Sequence, residues 1–264
     1  MPFEELKKRQ STMWGTGPYQ NITETITDIH ELVMQRLRPQ PEERFLDLAC
    51  GTGAVSELAA ATGARVTGLD LAPELIETAR ERALERGLEV EYVVGDIEQL
   101  PFEDASFGVV SSTCGIMFTP DHRTSASELA RVTDPGGRIA LANWTPDSTM
   151  AGVFGVMRPF QPPPPEGVGS PFQWGDEDHV RELLGDTFEL EFETHDSPLE
   201  HESGEAVWQL FSGSYGPTKV LAASLDDERR EELHRSFAAF HEEHRANGGI
   251  HMPRKYLLVL GRRR

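Results

Sequence analysis

Short apolar segments alternate with helix-like segments between residues 44 and 144, and this alternation restricts the fold more than any other feature of the sequence. Two parallel strands need a long crossover connection, usually a helix, so repeated strand and helix units predict a parallel sheet covered by helices on both faces. The expected fold is a three-layer α/β arrangement with a doubly wound sheet. The predicted strands are 44–49, 65–70, 89–94, 107–113 and 138–144, and the predicted helices are 54–61, 73–86 and 121–132.

The segments that flank this core have less regular patterns. Residues 22–38 place apolar side chains at helical spacing and predict one leading helix, which Pro39 ends. Residues 146–175 contain the run Pro162–Pro165 and are predicted to be irregular, because proline fits neither a helix interior nor a central strand. Such a segment serves either as a lid beside a site or as an exposed linker. The later predicted elements are helices at 176–184, 203–212, 217–224 and 226–245 and strands at 188–194 and 255–260.

Composition and charge argue against several classes of protein. A content of 38% hydrophobic and 26% charged residues is typical of a globular chain. A net charge of −19 repels phosphate backbones, so nucleic acid is not an expected partner. The charged N-terminal segment and the lack of a long apolar run predict a cytoplasmic protein without a membrane span. Cys50 and Cys114 are expected to be free thiols, no residues have metal-ligand spacing, and both monomer and homodimer remain open.

A glycine-rich turn follows the first predicted strand, in the segment Asp47-Leu48-Ala49-Cys50-Gly51-Thr52-Gly53. Gly51 and Gly53 lack Cβ atoms, which permits a sharp turn and a close approach of the backbone to a ligand. The peptide N–H groups at the start of the next helix are predicted to face a carboxylate of that ligand. In open α/β sheets, ligands bind at the carboxyl ends of the strands, which is where this turn lies.

Acidic residues end the second predicted strand and follow the third. Asp70 lies 19 residues after Gly51, where a carboxylate can accept hydrogen bonds from both hydroxyls of a ribose, and Leu71 can pack against an adenine. Asp96 can accept the adenine amine while Ile97 covers the ring. Each acid alone is explained equally well as a helix cap. Three such features at successive strand ends favour one adenosine-containing ligand.

The first turn distinguishes between adenosine ligands. A dinucleotide-binding turn requires a third glycine, where this chain has Ser56. The carboxylate of Asp47 would also repel a pyrophosphate, whereas an ammonium and a sulfonium are compatible with it. The pattern therefore favours S-adenosylmethionine over a nicotinamide dinucleotide. A nicotinamide-dependent oxidoreductase and a non-catalytic S-adenosylmethionine-binding module remain the alternative hypotheses.

Four segments, LDLACGTG, VTGLDLAPELIETAR, VVGDIEQLPFEDASFGVVSS and LARVTDPGGRIALANW, resemble in order the motifs of class I S-adenosylmethionine-dependent methyltransferases over about residues 44–144. They resemble in particular the branch of ubiquinone/menaquinone C-methyltransferase-like enzymes. The resemblance implies a Rossmann-like, seven-stranded, mostly parallel sheet of order 3-2-1-4-5-7-6 with an antiparallel last strand. It implies methyl transfer from S-adenosylmethionine to a small organic acceptor. The absence of an Asn/Asp-Pro-Pro-Tyr/Phe signature at 112–117 argues against nucleic acid and amide nitrogen as acceptors.

The same resemblance implies roles for individual residues. It implies that Asp47, Gly51 and Gly53 surround the methionine part of the cofactor and that Ala49 also contacts the cofactor. It further implies that Asp70 holds the ribose and that Leu71, Asp96 and Ile97 contact the adenine. Thr113 and Cys114 would lie against the methionyl segment and the reacting methyl group. The segment containing Trp14 and Tyr19 resembles one that closes over the cofactor. We expect one methyltransferase domain over 1–264, with an N-terminal lid and helix (1–40), a cofactor-binding core (41–145) and a substrate-side part (146–264).

A general base helps if the acceptor is a hydroxyl or an acidic carbon, and histidine is the usual choice near neutral pH. His122, shortly after the fourth predicted strand, is the candidate nearest in sequence. The alternative interpretation makes Asp121 the N-cap of a helix and His122 a surface residue of its first turn. The sequence does not identify the acceptor or the atom that receives the methyl group.

Overall fold

The computed structural model describes residues 3–264, and seven of its strands form one sheet. The strands are β1 (Arg44–Leu48), β2 (Arg65–Asp70), β3 (Val90–Val94), β4 (Phe107–Thr113), β5 (Thr133–Trp144), β6 (Phe188–Asp196), β7 (Leu199–His201), β8 (Arg245–Ala246), β9 (Gly249–Met252) and β10 (Lys255–Arg263). The large sheet has the order β3-β2-β1-β4-β5-β10-β6. Strands β1 to β5 pair in parallel, and β10 runs antiparallel to β5 and β6. The predicted strand order and the antiparallel last strand are confirmed.

Helices cover the sheet and bury its central strands. They are α1 (Glu4–Trp14), α2 (Gln20–Thr23), α3 (Thr27–Leu37), α4 (Ala54–Ala60), α5 (Pro73–Glu85), α6 (His122–Val132), α7 (Thr149–Met157), α8 (Glu177–Leu184), α9 (Gly204–Ser214), α10 (Gly216–Ser224) and α11 (Asp227–Glu242). Neighbouring side chains of a strand point to opposite faces of its sheet. Phe45 and Leu46 of β1 are both fully buried, so both faces of the central strand are covered.

The leading helix is interrupted, in contrast to the single helix predicted for residues 22–38. Helix α2 passes into a 3-10 turn at Glu24–Ile26, and α3 begins after it. Ile26 has φ −128° and ψ 25°, outside the helical region. The Arg254 guanidinium donates hydrogen bonds to the carbonyl and hydroxyl oxygens of Thr25 at this break. A tertiary contact thus accounts for an interruption that the apolar spacing of the segment does not indicate.

The segment 146–175 is more ordered than predicted, because it contains helix α7. The Ser148 hydroxyl accepts a hydrogen bond from the Met150 N–H and caps the helix. Helix α7 packs on α11, where a Cβ atom added to Gly152 would lie 2.6 Å from the Phe240 ring. Pro162–Pro165 lie beyond this helix and outside any helix or strand. The prediction of an irregular segment was therefore wrong for the helical part.

A second, three-stranded sheet has the order β7-β9-β8 and was not predicted. Helix α11 ends at Glu242, short of the predicted end at 245, and the chain then forms the β8–β9 hairpin. Asn247 and Gly248 form its turn with φ of 50° and 90°, as the type I′ turn requires. Among residues 3–264, no helix has both the length and the apolar character needed to cross a bilayer.

Candidate functional site

A cavity lies at the carboxyl ends of β1 to β4, beneath residues of α1 and α3. In a parallel sheet of this order, the strand order reverses between β1 and β4, and ligands bind at that point. Most of the predicted site residues line this cavity. They are Trp14, Tyr19, Asp47, Ala49, Gly51, Asp70, Leu71, Asp96, Ile97, Thr113 and Cys114.

Left-handed backbone conformations shape the ends of β1 and β4 inside the cavity. Ala49 has φ 51° and Cys114 has φ 52°, which are unfavourable for residues other than glycine. A Cβ atom added to Gly115 would lie 2.4 Å from the Ala49 Cβ, so the two loops are in direct contact. Strained backbone of this kind is concentrated at functional sites, where the surrounding structure maintains it.

The two glycines of the first loop, which follows β1, have different roles. Gly51 lines the cavity with φ 56°, and a Cβ atom there would meet only the Tyr19 ring at 3.9 Å. Gly53 is not among the lining residues, and the prediction that it contacts the ligand is not supported by its position. A Cβ atom at Gly53 would lie 2.3 Å from the Tyr92 hydroxyl, so packing against Tyr92 requires glycine there.

Two N–H groups of the loop after β1 donate hydrogen bonds within the protein. The Gly51 N–H donates to the Asp70 carboxylate at 2.9 Å, and the Gly53 N–H donates to the Cys50 carbonyl at 2.9 Å. These two hydrogen bonds hold the loop after β1 in its turn and attach it to the end of β2.

Asp47 is buried at the base of the cavity. Its carboxylate accepts hydrogen bonds from the hydroxyls of Ser56 and Ser111, both at 2.8 Å. Burial raises the pKa of Asp47 to about 6 and outweighs the two hydroxyl hydrogen bonds, which lower the pKa. The ionised carboxylate is therefore costly in the free protein, and a bound cation would stabilise it.

Asp70 connects the ends of β1 and β2. One carboxylate oxygen accepts from the Gly51 N–H, and the other accepts from the Ala72 N–H at 2.9 Å. Burial is the largest influence on this carboxyl group and raises its pKa. A carboxylate has about four acceptor positions, so Asp70 retains capacity for further donors from the cavity.

Asp96 has a partner that the sequence did not indicate. Lys7 of α1 donates to the Asp96 carboxylate at 2.7 Å and also contacts the Glu98 carboxylate. Asp96 accepts a further hydrogen bond from the Glu98 N–H at 2.9 Å. The acid at the end of β3 therefore anchors the first helix, with part of its acceptor capacity still available.

Helix α1 crosses the loops that surround the cavity and is held by side-chain hydrogen bonds. The Ser11 hydroxyl donates to the Leu71 carbonyl at 2.9 Å, and the Gln10 amide donates to the Phe118 carbonyl at 3.0 Å. Together with Lys7, these residues attach α1 to the loops after β2, β3 and β4. The one buried residue of this helix is Lys7, so its packing could not be predicted from apolar side chains at helical spacing.

Aromatic rings cover the cavity near the β4 end. Trp14 packs on Tyr19, Phe118 and Tyr215 with ring centroids 5.9, 4.7 and 5.6 Å apart, respectively. Trp14, Tyr19 and Phe118 line the cavity directly. The predicted placement of Trp14 and Tyr19 over the ligand loops agrees with this arrangement.

Thr113 has an unused polar atom at the same end. Its hydroxyl oxygen is buried and has no hydrogen-bond partner within residues 3–264. A buried hydroxyl without a partner is unfavourable, and a ligand that supplies one removes that cost. Thr113 lines the cavity, so this group is available to a bound molecule.

His122 lies at neither of its two predicted positions, the reaction site and the protein surface. It is buried, its Nδ1 lies 3.0 Å from the Nε2 of His179, and its ring packs against Trp174. It is neither a surface residue nor one of the residues that line the cavity. The other half of the interpretation is confirmed, because the Asp121 carboxylate accepts from the Thr124 N–H as an N-cap. We therefore withdraw His122 as the candidate general base.

His30 of α3 lines the cavity and was missed. Ile26, His30, Val33 and Leu37 share the spacing of one buried helical stripe, and this pattern could have identified the histidine.

No group of three or more His, Cys, Asp and Glu side chains in the described part of the chain is placed to hold a metal ion.

The comparisons with known proteins agree with this geometry. A family model described as a methyltransferase domain matches residues 46–141, which include the loops after β1, β2, β3 and β4. An uncharacterized protein of Mycobacterium tuberculosis is 32% identical over 99% of this chain and 96% of its own length. A ubiquinone biosynthesis O-methyltransferase of Xanthomonas axonopodis is 40% identical over 48% of this chain and 54% of its own length.

The solved structure of the YcgJ protein from Bacillus subtilis superimposes with a TM-score of 0.62 and 20% identity, covering 89% of this chain and 97% of that chain. This likeness concerns the fold. The methyltransferase domain model and the similar O-methyltransferase extend it to the activity and the cofactor, in place of a nicotinamide-dependent oxidoreductase or a non-catalytic module. The chain belongs to the class I S-adenosylmethionine-dependent methyltransferases.

Proposed function

We propose that this enzyme binds S-adenosylmethionine in the cavity above β1 to β4 and methylates a small organic molecule. One observation carries the proposal: the carboxylates of Asp47, Asp70 and Asp96 reach a single cavity from three neighbouring strand ends. Such a cavity attracts a ligand with cationic and hydrogen-bond-donating groups. When bound, the cofactor supplies an activated methyl group on a sulfonium centre.

The residues at the ends of β2 and β3 fit the nucleoside. In this proposal Asp70 accepts the ribose hydroxyls with the acceptor positions that Gly51 and Ala72 leave free. Leu71 and Ile97 cover the adenine ring, and Asp96 accepts its amine beside Lys7. Since two aliphatic side chains and two carboxylates line this half, it matches a ring with polar edges.

The residues at the ends of β1 and β4 fit the methionine part. Asp47 would be stabilised in its ionised form by a nearby ammonium or sulfonium, and the Thr113 hydroxyl would gain a partner. The Tyr19 ring lies beside Gly51, where it can contact a cation through its π face. These residues bind and orient the cofactor, and proximity then supplies much of the rate acceleration.

Several features favour a small acceptor in place of a polymer. Helix α1 restricts access from above through its contacts with the loops after β2, β3 and β4. The net charge of −19 disfavours nucleic acid. The similar Xanthomonas protein is named a ubiquinone biosynthesis O-methyltransferase. We further propose a cytoplasmic location and one domain over 1–264, in which 146–264 contributes to the substrate side through Tyr215, whose ring packs on the lining residue Trp14.

The proposed function is tested by incubating the enzyme with S-adenosylmethionine labelled in the methyl group and pools of small metabolites. We expect S-adenosylhomocysteine to accumulate and the label to appear in a low-molecular-weight product. The matched control is a Gly51→Val variant, whose side chain enters the cavity at a left-handed position. If none of the metabolite pools yields a labelled small molecule, and the label is transferred only when RNA or protein is added in their place, the proposed acceptor class is contradicted.

We expect Asp47→Asn to weaken cofactor binding and to stabilise the free protein. Burial raises the pKa of Asp47 from 3.8 to about 6 on folding, so the native state binds more protons than the unfolded state between these values. Stability from this group is therefore lost as pH rises from about 4 to about 6. Removing the charge is expected to raise the free energy of unfolding at pH 7.5 by about 1–3 kcal/mol.

Calorimetric titration and urea unfolding at pH 7.5 measure the two effects of Asp47→Asn. The affinity of the wild type for S-adenosylmethionine should also fall as pH drops below about 6, because the carboxyl group becomes protonated. A less stable variant with unchanged affinity for the cofactor would contradict this role of Asp47.

A further inference from the structure

His30 is a histidine inside the cavity whose ring has no hydrogen-bond partner. It lies on α3, is 5% exposed and lines the cavity. No residue within 3–264 makes a hydrogen bond to either of its ring nitrogens. Neither nitrogen is one of the fully buried polar atoms that lack a partner, so each keeps some accessible surface. Because His30 is one of the residues that line the cavity, a molecule bound there can reach its imidazole.

The position of α3 places His30 at the end of the cavity opposite the proposed adenine site. Helix α3 packs against β4, β5 and α4, whereas Asp96 follows β3 at the other side of the sheet. The cavity residues nearest in sequence or on adjoining elements are Ile26 on one side of His30 and Thr113 and Cys114 at the end of β4. Because the end of β4 is assigned to the methionine part of the cofactor, His30 lies at the end of the cavity that holds the methyl donor, and the methyl acceptor must bind beside it.

The other titratable side chains that line this end cannot accept a proton near neutral pH. Burial raises the pKa of Cys114 to about 12 and also raises that of Tyr19, so the thiol and the phenol stay protonated. Burial lowers the pKa of His30 to about 4, against the opposing effect of Asp28. The Asp28 carboxylate is not one of the lining groups, and it accepts a hydrogen bond from the Ser197 hydroxyl at 2.9 Å. A neutral imidazole has a free acceptor nitrogen. The carboxylates of Asp47 and Asp70 lie at the ends of β1 and β2 and are engaged by hydroxyl and N–H donors.

The residues that line this end of the cavity indicate which kind of acceptor can bind there. Trp14, Tyr19, Ile26 and Phe118 contribute apolar and aromatic surface. The charged lining residues within 3–264 are Lys7 and the aspartates already assigned, and Lys7 is paired with Asp96. An acceptor with a net charge would find only the sulfonium of the cofactor as a counter-charge here, whereas a flat apolar molecule with one polar group would be accommodated.

We propose that His30 accepts the proton of the methyl acceptor, and that this acceptor is an uncharged, mainly apolar molecule with a phenol or enol hydroxyl. The proposal rests on the proposed function of the same cavity. The acceptor oxygen forms a bond to the methyl carbon while the carbon–sulfur bond breaks and its electron pair remains on sulfur. The hydroxyl proton passes to the free nitrogen of His30. The products are a methyl ether, the neutral thioether and an imidazolium, so the positive charge moves from sulfur to His30.

Two phenols that differ in acidity test this role. 4-Propylphenol must lose its proton during the reaction, whereas 4-nitrophenol is already ionised at pH 8.5. We expect His30→Gln to lower kcat with 4-propylphenol by about 100-fold or more and to change kcat with 4-nitrophenol only slightly. His241→Gln is the matched control, because His241 is also buried but does not line the cavity. Equal losses with both phenols, or no loss with either, would overturn the role of His30.

Binding of S-adenosylhomocysteine to each variant separates this inference from the proposed function. A wild-type enzyme that binds S-adenosylhomocysteine but methylates neither phenol would overturn the proposed acceptor class alone. A wild-type enzyme that binds no S-adenosylhomocysteine would overturn the proposed cofactor site.

The wild-type pH profile supplies a second measurement that does not depend on the folding of a variant. Between pH 7 and 9, above the pKa of both His30 and Asp47, kcat with 4-propylphenol should be nearly constant. A rise of about tenfold per pH unit would show that free phenolate reacts without a base, and would overturn the proposal.

Discussion

Asp70→Ala is expected to lower the affinity for S-adenosylhomocysteine by about 5- to 150-fold, which corresponds to about 1–3 kcal/mol. The physical reason is that the ribose hydroxyls would be buried without an acceptor. The Gly51 and Ala72 N–H groups would also lose their partner, so the loop after β1 would lose its attachment to the end of β2. Isothermal titration calorimetry at constant pH measures the change in affinity directly.

Two further variants separate the ribose contact from general effects of charge. Asp70→Asn keeps the shape but directs an amide N–H group at a backbone N–H donor, so we expect a loss similar to that of alanine. Asp134→Ala removes an acid at the opposite end of the sheet, where it pairs with Arg44, and should leave the affinity unchanged. Wild-type affinity in Asp70→Ala would contradict the assignment of the ribose site.

Arg254→Ala is expected to lower the free energy of unfolding by about 3–5 kcal/mol. Arg254 is 2% exposed, and its guanidinium donates to the Ser197 carbonyl at 2.9 Å, the Thr25 hydroxyl at 3.0 Å and the Pro198 carbonyl at 3.4 Å. Alanine would leave these buried acceptors without donors. It would also separate the break before α3 from the connection between β6 and β7.

Urea unfolding at pH 7.5 measures this effect. Arg254→Lys should lose most of the same stability, because one ammonium group cannot replace a planar donor that reaches Thr25, Ser197 and Pro198 together. Arg262→Ala changes an exposed arginine of β10, the strand that begins directly after Arg254, and is the control. A loss below about 1 kcal/mol in Arg254→Ala would contradict the structural role of this contact.

The features that the sequence predicted well are determined locally. Strands β1 to β5 appear as short apolar runs, and the acids at their ends could be located by spacing alone. Asp70 and Asp96 both line the cavity, because parallel strands bring their carboxyl ends to the same edge of the sheet. Asp121 was identified as an N-cap since capping depends on a few neighbouring residues.

The features that escaped prediction depend on distant contacts. Lys7 is buried because Asp96 and Glu98, far along the chain, pair with it. The interruption before α3 involves Arg254, near the other end of the sequence. His122 was placed near the reaction by its distance from β4 in sequence, but its ring turns toward His179. Sequence separation gives no information about which way such a side chain points.

Gly53 illustrates a related limit. Both glycines of the first loop have positive φ, and the sequence cannot distinguish a glycine required by a ligand from one required by packing. Gly51 faces the cavity, whereas Gly53 faces the Tyr92 side chain, which comes from β3. The distinction depends on a residue from another strand, so it becomes visible only in three dimensions.

The central claim is that the ends of β1, β2 and β3 together hold one sulfonium nucleoside. A crystal structure of the chain with S-adenosylhomocysteine tests this claim most directly. The account predicts both ribose hydroxyls within hydrogen-bond distance of the Asp70 carboxylate and the adenine between Leu71 and Ile97. A nucleoside bound elsewhere, with Asp70 still contacting only Gly51 and Ala72, would contradict it.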